Sequence, residues 1–238
     1  MSAARPAAAP VVPPVSRAGL LSSSIGKKVI MAVTGAILCG FILAHMSGNL
    51  QAFIPKEANG EQALDHYGVF LRQMLHGTAL WFARGGLLLA VILHVWAFVS
   101  LTRQNMAARP AGYRETQRRE ATFASRSMKF TGPLLLVFIV YHILHMTTGT
   151  VHPQFEEGHV YHNLVTGLSV TWVALFYVVA MAALAFHVWH GFWSMLQTLG
   201  ASHPRYNAVR KAAAVVFTIL VCGGFAAVPL AVLAGVLR

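Results

Sequence analysis

The sequence predicts an all-α membrane protein: five transmembrane helices packed as a bundle. Three observations carry this. Of 238 residues, 56% are apolar and only 11% charged, whereas a soluble domain carries about a quarter charged residues. Five stretches are long enough to span, since a helix needs roughly 20 mostly apolar residues to cross a hydrocarbon core of about 30 Å. No Asp or Glu falls inside any of them.

The first span runs from about Val29 to Leu50, behind a basic lead-in. Residues 1–21 are rich in Ala and Pro, too broken by proline to form the apolar run of a signal peptide, and read as a disordered tail. That leaves 22–238 as one transmembrane domain. The second span covers about Leu80 to Leu101, the third Phe130 to Met146, the fourth Leu168 to Leu196 and the fifth Ala212 to Leu237. Cys39 and Cys222 both lie inside spans, where they act as small hydrophobes, so there is no disulfide framework and no zinc ribbon.

A net charge of +11 suggests nucleic acid, but the basic residues alternate with the spans. All but four of the 18 Lys and Arg fall in the N-terminal segment (Arg5, Arg17, Lys27, Lys28), the connection Arg103 to Lys129, and the connection holding Arg205, Arg210 and Lys211. The other side carries Lys56, Arg72, Arg84 and Arg238, together with Glu57, Glu61, Asp65, Glu156 and Glu157. The positive-inside rule then puts the N-terminus in the cytoplasm and the C-terminus outside.

Four histidines form two echoes within the apolar spans. VTGAILCGFILAHM, ending around His45, is matched by FTGPLLLVFIVYHI around His142, with Thr-Gly ten residues before the histidine each time. LHVWAF carries His94 and FHVWHGF carries His187. Ionisable residues in lipid are costly and mark function. Depth decides which can meet. His45 lies about 26 Å past Lys28 and His142 about 20 Å past Lys129, both in the outer half if the spans alternate. His94 stands roughly 14 Å before Arg103, and His187 lies about ten residues before Gln197, so both fall in the inner half.

Two imidazole pairs at two depths are what two stacked, six-coordinate haems require, and such irons carry electrons because no position is open to substrate. Gly35, Gly40, Gly85, Gly86 and Gly132 would admit a flat macrocycle, although close helix packing explains them equally well. A structural zinc wants four ligands at one point, and these pairs are separated in depth. No CxxCH is present, which excludes covalently attached haem. His145 and His190 each follow a chosen ligand by three residues on a similar helix face. Only the echoes favour His142 and His187. The histidines in predicted connections or at span edges, His66, His76, His152, His159, His162 and His203, read as mostly solvated.

At SSSIGKKVIMAVTG leading to AHMSGNL, LHVWAF, SRSMKFTG leading to YHILHM, and FHVWHGFWSMLQTLG, the chain resembles the five-helix, two-haem cytochrome b subunit of succinate dehydrogenases and fumarate reductases. The likeness covers about Ser22 to the end. It implies haem b at His45 and His142 (outer) and at His94 and His187 (inner). It also implies a flavoprotein and an iron–sulfur partner on the cytoplasmic face of a bacterial inner membrane. Quinone, menaquinone in relatives of this kind, would react near the outer haem, with Asn49, Gln51, His66 and His145 as candidate neighbours. Candidate propionate partners are Ser22, Ser24, Lys28, Arg84, Arg126, His190 and Trp193, since carboxylates at a membrane edge need donors. The succinate and fumarate chemistry falls to the partners, because the chain has no GxGxxG and no cysteine set for a cluster. The competing readings are the cytochrome b anchor of a hydrogenase or formate dehydrogenase, and a transporter that relays protons or metal ions through its histidines.

Overall fold

The computed structural model describes residues 19, 21–58, 60–108 and 123–238. The tail, apart from residues 19 and 21, and much of the basic connection between the second and third spans lie outside them.

Five long helices form where the apolar runs predict them: α1 (Ser24–Asn49), α3 (Thr78–Ala107), α4 (Phe123–Met146), α6 (Thr171–Thr198) and α7 (Asn207–Leu233). All five are long and apolar enough to cross a membrane. In lipid a helix satisfies its own backbone polar groups, which makes it the stable state of such a run. Ser23 starts α1 as an N-cap, its Oγ accepting from the Gly26 N–H at 2.9 Å.

Two shorter helices, α2 (Ala63–Gln73) and α5 (Val160–Ser169), form where the sequence predicts irregular connections. The fourth span consequently begins later than expected. Leu168 belongs to α5, and α6 starts at Thr171 because Val170 is extended, with φ −75° and ψ 106°. Beta-branched Val170 sits comfortably in that conformation.

The closely packed neighbours are α1 with α3, α4 with α6, α1 with α6, and α7 with α6 and α1. Small residues make this approach possible: Ala97, Ala174, Ala180 and Ala214 are wholly buried. The outward faces are apolar instead, with Phe82 81% and Phe130 77% exposed. Apolar side chains turned outward mark a surface whose solvent is lipid.

The two ends of the bundle differ. At one end the Gln104 side chain at the close of α3 donates to the Ser22 carbonyl before α1, and Lys27 and Lys211 lie over the rings of Trp96 and Trp193. This is the basic end. At the other, α2 and α5 form a cap in which the Tyr161 N–H donates to Asp65 Oδ1 at 2.8 Å and the Tyr161 hydroxyl to the Arg238 carbonyl at 3.3 Å.

Candidate functional site

The four span histidines meet in the two pairs that depth predicts. His94 on α3 faces His187 on α6 with ring centroids 6.3 Å apart and planes at 52°. His45 on α1 faces His142 on α4 at 5.8 Å and 74°. Neither α3 and α6 nor α1 and α4 belong to the closely packed helix pairs among the described residues. Each histidine pair therefore bridges helices whose backbones stay apart.

The first pair lies toward the basic end and forms one layer across four helices. Thr34 Oγ1 on α1 is 3.1 Å from His94 Nδ1, and Thr131 Oγ1 on α4 is 3.4 Å from His187 Nδ1. These threonines belong to the two Thr-Gly motifs. Each motif thus reaches the histidine of the other echo, on the helix packed beside it. The repeat covers α1 with α3 and again α4 with α6, so it is a duplicated helix pair.

The second pair lies toward the cap. His45 stacks on Phe41 at 5.3 Å and meets Phe225 of α7 at 5.6 Å. His142 Nδ1 is 3.2 Å from the Tyr177 hydroxyl, which is also 2.9 Å from His145 Nδ1. His145 does not face His45. Its ring stacks on His152 at 4.9 Å, and His152 Nε2 bonds the Asn163 carbonyl at 2.9 Å. Gly167 admits both rings, since a Cβ there would stand 2.7 Å from His152 Nε2 and 2.8 Å from His145 Cε1. His152 is buried in this cluster, against the expectation of a solvated residue. The reversal at residues 147–159 and the covering helix α5 carry it inward.

The remaining candidates divide by position. Asn49 Nδ2 donates to the His45 carbonyl at 2.9 Å, and Gln51 lies in the turn that follows α1. His66 turns to Glu61 at 2.8 Å on the exposed surface of α2. Ser22 bonds the Gly19 carbonyl, while Ser24, Lys28 and Arg126 are exposed at the basic end. Arg84 lies against the Trp81 ring at 4.9 Å on an exposed face of α3, as an arginine reaching for the interface does. His190 and Trp193 stand apart from these: His190 Nδ1 and Trp193 Nε1 are buried with no hydrogen-bond partner.

The sequence reading missed Thr34 and Thr131 as site residues, although it singled out their motifs, and it missed Tyr177. It also passed over Arg210, buried on α7 with Nε and Nη1 unpartnered. In the sequence Arg210 is one more basic residue of a connection, and its burial is a matter of tertiary packing that spacing does not register.

No curated protein and no solved structure matches the chain. A family model does, over residues 102–226, just over half of the chain, from the end of α3 into α7. That stretch holds His142 and His187, and the echoes carry the same pattern back to His45 and His94. With five apolar helices and this match, the chain belongs to the succinate dehydrogenase/fumarate reductase transmembrane subunit family.

Proposed function

We propose that this subunit holds two haems b, one between His94 and His187 and one between His45 and His142, and carries electrons between an iron–sulfur partner and membrane quinone. The observation that supports this most is the opposition of two imidazole pairs across helices that keep apart. Imidazoles bonded on opposite sides of one metal at about 2.0 Å each have ring centres roughly 6 Å apart, and the pairs stand at 6.3 and 5.8 Å. Haem bound there supplies one-electron chemistry at an iron with no open coordination position.

The chain's own residues fit the group. Hydroxyls at the Nδ1 atoms of His94, His187 and His142 leave Nε2 free for a metal. Propionates would answer the unpartnered nitrogens of His190 and Trp193, and the Arg210 guanidinium offers a further buried donor set at the same end of the bundle. Asn49 bonds the His45 carbonyl and His145 shares the Tyr177 hydroxyl with His142, so both sit beside the second pair, where quinone chemistry is proposed, with Gln51 in the turn after α1 as a further candidate. The basic end faces the cytoplasm in this reading, and there the flavoprotein and iron–sulfur partners of the bacterial inner membrane complex dock.

Replacement of the histidines tests this directly. Protein purified with ample haem should show a low-spin b-type spectrum, and His45→Leu and His142→Leu should each abolish the same haem while the other stays reducible. His94→Leu and His187→Leu should remove the other one. Absence of any b-type absorption, or loss of different haems within a pair, would sink the proposal.

A further inference from the structure

The bonds between the Thr-Gly motifs and the basic-end histidines have a direction. Thr34 Oγ1 lies 2.8 Å from the Ile30 carbonyl and 3.1 Å from His94 Nδ1. A hydroxyl has one proton and two lone pairs. With the proton given to Ile30, the oxygen can only accept at His94, so Nδ1 is the protonated nitrogen and Nε2 keeps its lone pair. Thr131 repeats the pattern, with Oγ1 3.1 Å from the Ser127 carbonyl and 3.4 Å from His187 Nδ1. The adjoining glycines lie beside the two rings, at distances where a Cβ would make ordinary contact. A Cβ on Gly35 would stand 3.6 Å from His94 Cε1, and one on Gly132 3.9 Å from His187 Cε1.

The cap-end pair is built differently. Tyr177 serves His142, and aromatic rings hold His45. Threonine hydroxyls on both sides therefore distinguish one centre from the other.

We propose that Thr34 and Thr131 are positioning residues that fix His94 and His187 in the tautomer presenting Nε2 to their shared centre, and thereby set that centre's electron affinity. This rests on the haem reading above. An oxygen accepting from Nδ1–H makes the opposite nitrogen a better electron donor, which favours the oxidised metal. Loss of the hydroxyl removes that preference and raises the midpoint potential of one haem only. It also weakens retention of the group at that site, by about 10–100-fold for partners of this kind.

The test is a redox titration with low-temperature electron paramagnetic resonance on the full chain in its complex, comparing Thr34→Val, Thr131→Val, Thr34→Ser and Thr131→Ser. Each valine variant should raise the midpoint and move the low-spin signal of the haem that His94→Leu removes. The second haem should stay unchanged, and the serine variants should match the native protein. Unchanged midpoints in both valine variants, equal shifts in both haems, or serine variants that behave as valine would overturn the inference. Should a valine variant lose its haem outright, a serine variant holding haem at the native midpoint supports the proposal, and loss in serine as well overturns it. A native protein carrying no haem sinks the parent reading too, which separates the two failures.

Discussion

His142 and His145 lie one turn apart and both reach the Tyr177 hydroxyl, yet their rings serve different neighbours. His142 faces His45, whereas His145 stacks on His152 beneath Gly167. The Thr-Gly spacing in the sequence favoured His142 as the ligand, and of the two it is His142 whose ring faces His45. Burial of His152 was not legible, because it depends on a chain reversal and on a glycine of α5. Thr34 and Thr131 were visible as motifs, but their partners are on other helices, so spacing along one helix could not assign them. Two outcomes follow at this scale. Gly167→Val should lower thermal stability in detergent, with overpacking costing about 1–3 kcal/mol. Tyr177→Phe should cost about 1–3 kcal/mol through buried polar groups left unpaired, measured in the same melting experiment.

Helices α1 and α4 each take part in both histidine layers. Thr34 and His45 lie eleven residues apart, as do Thr131 and His142, which is about 16 Å of helix at 1.5 Å per residue. The hydrogen-bonded ladder of one helix thus sets the distance between the two layers. Inserting a single alanine after Ile37 turns the two halves of α1 by about 100° relative to each other, so Thr34 and His45 cannot both keep their partners. One of the two proposed haems should disappear from the optical spectrum of that variant. The long helices were legible from apolar length alone. The break at Val170 was not, because apolar residues continue from α5 into α6 and hydropathy does not register a change of backbone direction.

At the scale of the molecule, five helices among the described residues are long and apolar enough to cross a membrane, and with the excess of Lys and Arg at one end this predicts termini on opposite sides, the N-terminus inside. In a background of Cys39→Ala and Cys222→Ala, Ser22→Cys should react with an impermeant thiol reagent only in inverted vesicles. Arg238→Cys should react only from the outer side. Labelling of both from one side would contradict an odd number of crossings.

The duplicated helix pair also bears on how the protein is made. Each opposed pair takes one histidine from α1 or α3 and the other from α4 or α6. A nascent chain that has released only its first two spans carries half of each centre and completes neither. With haem bound as proposed, loading of the His45–His142 pair waits for α4 and that of the His94–His187 pair for α6, and the two filled pairs would then cross-link the early and late halves of the chain like paired staples.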